Sequence, residues 1–199
     1  MAIATVARIV LARVAWSPAG ALVAVALVCA GPILLVGAPI GISSSNIAAS
    51  QWVYELAIVG SAVGTVFATG VVERMRPILL RQAAGARLAS EWTVVATSGL
   101  ACAALAALPG IALTASGPGA LLATTTARVL PTILAAAAAS SMLGRLRLPR
   151  TLAPWLLACG MLLAPVVLRS PVEALPRLAL ALAFGLGAWL LDHPPGGAR

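Results

Sequence analysis

Long, almost uninterrupted apolar runs separated by short polar or arginine-bearing breaks constrain this chain more than any other feature. Six runs suit membrane crossing: about 17–36, 51–71, 92–108 (reaching toward 113), 120–143, 151–168 and 175–191. At about 1.5 Å of rise per residue, roughly 20 residues cross a hydrocarbon core about 30 Å thick. Lipid supplies no hydrogen bonds, so spanning segments must be helices or a closed barrel. Period-two alternation is absent, which predicts an all-α polytopic membrane protein with six transmembrane helices.

Composition closes the soluble alternative. Only 9% of the residues are charged, against about 25% in a typical soluble domain. An Ala-rich soluble bundle with this makeup could not cover itself with polar surface. A net charge of +8 would suggest nucleic acid in a soluble chain. Here the arginines flank apolar runs, so membrane topology explains them and no nucleic-acid partner is expected. Cys29, Cys102 and Cys159 all lie inside apolar runs, without metal-site spacing.

Backbone breakers mark the boundaries. Gly37, Pro39 and Gly41 follow the first run, and Gly117, Pro118 and Gly119 precede the fourth. Pro109 and Gly110 are expected to loosen the end of the third, Pro131 to bend the fourth and Pro165 to kink the fifth. No cleavable signal peptide is expected: residues 1–16 carry Arg8 and Arg13 and read as an interfacial helix.

Charge asymmetry predicts the orientation. With the N-terminus inside, the inner segments hold Arg8 and Arg13, then Arg74, Arg76, Arg81 and Arg87, then Arg145, Arg147 and Arg150, and finally Arg199. The outer segments hold only Arg169 and Arg177. The positive-inside rule therefore places both termini in the cytoplasm, with residues 17–191 as the membrane domain and 192–199 as a tail. The expected location is a cytoplasmic membrane.

The connector 73–91 is longer than a simple tether. Pro77 suits the first turn of a helix, and Gly85 is expected to end it. Glu73, Arg74, Arg76, Arg81 and Arg87 are its candidate coupling residues. One reading is an interfacial loop whose arginines bind anionic lipids; the other is a docking element for a cytoplasmic partner.

Two ionisable residues fall within runs. Arg128 lies about nine residues into the fourth, roughly 14 Å deep. Ionised groups at depth usually face protein or water, so one expectation is an anion-attracting or conformational residue lining a cavity, and the other is a subunit-packing or snorkelling arginine. Glu55, beside Trp52 and Tyr54, is expected at the outer mouth; proton coupling through it would suit an ion-coupled secondary transporter. Gly60 and Gly64 form a small-xxx-small pair, a spacing that permits close helix packing, although composition alone is the stronger explanation in so Ala-rich a chain. His193 has no catalytic companions, and no hydrolase or metalloprotease motif is present.

The arrangement resembles the membrane subunits of the ABC-2 type exporter superfamily. The resemblance rests on the six runs, on Glu73 and Arg74 at the end of the second, on Pro77 to Arg81, and on Gly85 to Glu91. It departs in its short 169–174 segment and in having Gly85 about where a proline would be expected. The connector also resembles that of the related haem-exporter membrane subunits. The resemblance implies a permease paired with itself or a homologous permease and driven by a separate P-loop ATPase. The chain has no GxxxxGK[ST] loop and no lysine, so ATP would bind on that partner, with no cofactor or catalytic motif here. The rival expectation is a non-catalytic scaffold or accessory subunit of a larger membrane complex. Reporter fusions within 73–91 should read cytoplasmic and fusions within 37–50 external; the reverse pattern would invert the topology.

Overall fold

In a computed structural model of the chain, the described residues are 46–113, 118–146 and 174–193, with isolated positions 8, 9, 12, 20, 152, 156, 157, 159 and 160. Apart from those positions, the interfacial helix expected at 1–16, the spans expected at 17–36 and 151–168, and the tail beyond His193 lie outside the described residues.

Five helices carry the described fold: α1 (Asn46–Arg74), α2 (Arg76–Leu79), α3 (Ala84–Leu113), α4 (Pro118–Leu143) and α5 (Ala174–Asp192). Four contain segments long and apolar enough to cross a membrane: Val53–Arg74, Ala84–Leu108, Leu122–Leu143 and Ala174–Asp192. The chain is thus an all-α, multi-span membrane protein.

The helix ends follow local chemistry. Pro77 lacks the amide hydrogen that would continue the α1 ladder, and it disfavours helical angles in the residue before it. The chain turns at Met75 and restarts as the single turn of α2, with Pro77 in its opening positions. Gly85 does not end a helix as expected. It lies in the first turn of α3, which absorbs the whole 84–91 lead-in. Pro109 and Gly110 lie in the last turns of α3, which reaches Leu113, the further of the two expected ends. Pro131 sits inside α4.

The closest packing joins α1 to the antiparallel α3. A Cβ on Gly60 would stand 2.5 Å from the Cys102 carbonyl oxygen and 2.8 Å from the Ala106 Cβ. A Cβ on Gly64 would stand 2.5 Å from the Ser98 carbonyl oxygen and 2.8 Å from the Cys102 Cβ. Backbone meets backbone, so no side chain fits. This corrects the compositional reading of the pair: the two glycines are the contact. Small residues matter here because lipid is as apolar as leucine, which leaves van der Waals packing to hold the helices together.

The remaining helices build on that pair. Val53, Tyr54, Ala57 and Ile58 of α1 pack with Ala103, Ala107 and Ile111 of α3 and with Val129 and Ile133 of α4. Toward the other end, Ala68, Val72, Met75 and Leu79 pack with Val94, Val95 and Ala137. The buried hydroxyls of Ser61, Thr65 and Thr69 donate to carbonyls three or four residues back along α1, which satisfies them inside the bundle. Thr69 also reaches Ser140 of α4, at 2.8 Å. Helix α5 packs mainly on α4 and is the least covered, with Leu175, Leu182 and Leu186 more than half exposed. Gly185 receives the Trp92 indole, whose nearest atom would lie 2.9 Å from an added Cβ.

A matched pair of substitutions tests the glycine contact. Gly64→Ala should destabilise the purified protein by ~1–3 kcal/mol through overpacking. Gly70→Ala, in the same helix with nothing within 4 Å of an added Cβ, should be neutral or stabilising by roughly 0.5–1 kcal/mol. Thermal unfolding in detergent reads both.

Candidate functional site

Two polar constellations occupy opposite ends of the bundle. The first gathers the ends of all four long helices. Arg145, just past α4, donates to Glu91 of α3 at 2.8 Å and to Asp192 of α5 at 2.8 Å. Asp192 also accepts from Arg87 of α3. Arg76 of α2 pairs with Glu73 of α1 at 3.3 Å and donates to the Gly144 carbonyl. Gly144 lies close to this pair: an added Cβ would stand 2.7 Å from a Glu73 carboxylate oxygen, which would have to shift. Three arginines thus face three carboxylates around a cavity of about 190 Å³.

These charges are well covered. The Arg145, Glu91 and Asp192 side chains are 7%, 10% and 9% exposed, so the ion pairs are screened little by solvent. Burial alone would pull the Arg145 guanidinium down. The hydrogen bonds and charges of Asp192 and Glu91 outweigh it and hold the group above the ordinary arginine range.

The cluster divides the connector candidates. Glu73, Arg76 and Arg87 are drawn into contacts that tie helix ends together. Arg74 and Arg81 are exposed and form no ion pair among the described residues. Between them, Leu79 is buried in the core while Ile78 and Leu80 are 48% and 56% exposed. The connector therefore presents two arginines and two large apolar side chains on a base anchored by Leu79. Arg145, Glu91 and Asp192 were not in the candidate set. Their pairing depends on contacts between distant helices, which residue spacing does not encode.

The second constellation surrounds Tyr54. Arg177 of α5, 2% exposed, donates to the Thr132 hydroxyl at 2.9 Å, to the Tyr54 hydroxyl at 3.3 Å and to the Arg128 carbonyl at 3.5 Å. The Arg128 guanidinium lies over the Tyr54 ring, 5.9 Å from its centroid. Two arginines thus bracket one tyrosine.

The burial order reverses the sequence expectation. Arg128 is exposed, whereas Arg177, which the sequence assigns to an outer segment, is the buried arginine. Arg177 shares the buried face of α5 with Ala181 and Ala188; that helical spacing was the available signal. Pro131 bears on the arrangement: it cannot donate to the Ala127 carbonyl and crowds the preceding turn, close to where the Arg128 carbonyl accepts from Arg177. Glu55 is exposed on α1, and no Glu55–Arg128 ion pair forms among the described residues.

From Arg177 and Thr132 an apolar cavity of about 350 Å³ runs between α4 and α5, lined by Ala136, Ala139, Leu157 and Phe184 among others.

Arg145→Met should cost about 3 kcal/mol, since it strands the covered Glu91 carboxylate and takes one of two cations from Asp192. Adding Glu91→Gln should recover roughly 1 kcal/mol or more, a coupling measurable by a double-mutant cycle in detergent unfolding.

Comparison with known proteins returns no matching family model, no matching curated protein and no matching solved structure.

Proposed function

We propose that this chain is the membrane-spanning permease subunit of an ATP-driven exporter, with the ATPase a separate protein that docks at the 73–91 connector. The observation that supports it most is the anchoring of that connector. Leu79 is buried in the core, Arg76 ties α2 to Glu73 and Gly144, and Arg87 ties the start of α3 to Asp192. A force on α2 would thus reach the ends of α1, α3, α4 and α5 together. A connector serving only as a tether needs no such bracing.

The docking surface in this reading is the exposed set Arg74, Ile78, Leu80 and Arg81. Apolar anchors flanked by cations suit an acidic, groove-bearing partner, with the charges speeding encounter and setting register. The arginine-rich end then faces the cytoplasm of an inner membrane, and the permease pairs with itself or a homologous permease. Movement of the ATPase subunits would push α2 and break or re-form the ion pairs behind it, reorienting the spans.

Affinity purification from the native membrane, followed by mass spectrometry, tests this. A P-loop ATPase should co-purify, and the Arg74→Glu/Arg81→Glu variant should recover about tenfold less of it or lower still, with unfolding unchanged. Arg87→Glu is a poorer probe, because it also breaks the Asp192 tie. Recovery of other membrane subunits without an ATPase would instead favour the scaffold role.

A further inference from the structure

We propose that α5 is the moving helix of the bundle, pinned at its Arg177 end and latched at its Asp192 end. Release of Asp192 pivots the helix about Arg177 and away from α3, which opens the bundle sideways to the lipid at its arginine-rich end. This goes beyond the exporter reading and does not depend on an ATPase: anything that displaces Asp192 drives it.

Polar ties rather than packing hold α5. Its buried residues are Arg177, Ala181 and Ala188, with no large apolar side chain among them. Its exposed leucines gain nothing from the bundle that lipid does not also offer. Apolar voids flank the helix on two sides. One is the cavity shared with α4, of about 350 Å³. The other is a groove of about 450 Å³ against α3, with Leu88, Ala89 and Trp92 on one wall and Ala181, Gly185 and Trp189 on the other. Within that groove the Trp92 indole lies on Gly185, so no side chain of α5 interlocks with α3 at that point.

The two ends differ in what a break costs. Arg177 is 2% exposed and joins Thr132, Tyr54 and the Arg128 carbonyl. Withdrawing it would break these contacts together and move a cation into apolar surroundings, which is costly. At the other end every partner has an alternative. Arg145 keeps Glu91, at 2.8 Å, when Asp192 leaves. Arg87 and Asp192 stand near the ends of the Ala84–Leu108 and Ala174–Asp192 spans, where a charge can reach headgroups or water. The Asp192 tie is therefore the releasable one, and the Arg177 end is the pivot.

The test is double electron–electron resonance on the full-length chain in phosphatidylcholine nanodiscs, with Cys29, Cys102 and Cys159 replaced by serine and thermal unfolding close to the parent's. One spin-label pair, at Arg74→Cys and Leu190→Cys, spans the arginine-rich ends of α1 and α5. A second, at Val59→Cys and Leu178→Cys, lies toward the opposite ends. All four positions are exposed. Asp192→Asn should raise a longer-distance population at the first pair about tenfold or more, the change expected when a charged hydrogen-bonding partner is lost, and leave the second pair as in the parent. Arg87→Gln, which leaves Asp192 to Arg145 alone, should move the first pair in the same direction by less. Glu91→Gln removes a carboxylate from the same cluster without touching Asp192 and should add no longer distance. An Asp192→Asn distribution identical to the parent's would overturn the proposal. So would equal shifts at both pairs, or the same change from Glu91→Gln as from Asp192→Asn.

Discussion

The bundle depends on the backbone-to-backbone approach of α1 and α3. In water two helices gain by hiding apolar surface from solvent, but in lipid that gain disappears, and what remains is the quality of the contact. Gly60 and Gly64 remove the side chains that would hold the axes apart, so that α1 settles against the Ser98–Cys102–Ala106 stripe of α3. Gly99 of α3 also faces α1: an added Cβ there would stand 2.8 Å from the Thr65 methyl and 3.2 Å from Ile133, which draws α4 into the same seam. Tyr54, Thr69 and Glu73 then stand on a helix whose position is already set, and both polar constellations are assembled from it.

Charge is handled differently at the two ends. At the arginine-rich end three guanidinia and three carboxylates meet, so the covered part of the cluster is electrically balanced. Among the described residues of this end, the cations left outside the balance, Arg74 and Arg81, are the exposed ones. Around Tyr54 the arrangement is uneven: Arg177 is enclosed and Arg128 exposed. The balanced cluster braces helix ends, whereas Arg177 is enclosed by polar contacts to Thr132, Tyr54 and the Arg128 carbonyl. Sequence charge counts treat these arginines as equivalent; position within the bundle separates their roles.

The apolar runs made the helices legible because lipid imposes a length and forbids unpaired backbone. The expected runs at 51–71, 92–113, 120–143 and 175–191 all fall inside described helices. One local breaker was read less well: Gly85, expected to end a helix, lies in the first turn of α3, where a glycine costs few bonds. The candidate site was legible only as composition. Arginines at 74–87 announce a charged connector, but nothing local says that Arg87 will find Asp192 more than a hundred residues away. Arg128 drew attention by its place in an apolar run, while Arg177, near a predicted span end, is the one that the fold encloses.

Helix α1 joins these features mechanically. Tyr54 lies near one end, against Arg177 and Arg128, and Glu73 lies at the other, against Arg76 and within the Gly144 corner. Helix α5 makes a parallel connection, from Arg177 to Asp192. Two stiff rods therefore connect the arginine bracket to the ion-pair cluster, and the apolar cavity lies beside one of them. A shift of the Glu73–Arg76 corner would be carried along α1 to Tyr54. Withdrawal of Asp192 from Arg145 would free the end of the helix that bears Arg177. The ion-pair cluster and the Tyr54 constellation are in this way linked through the same two helices.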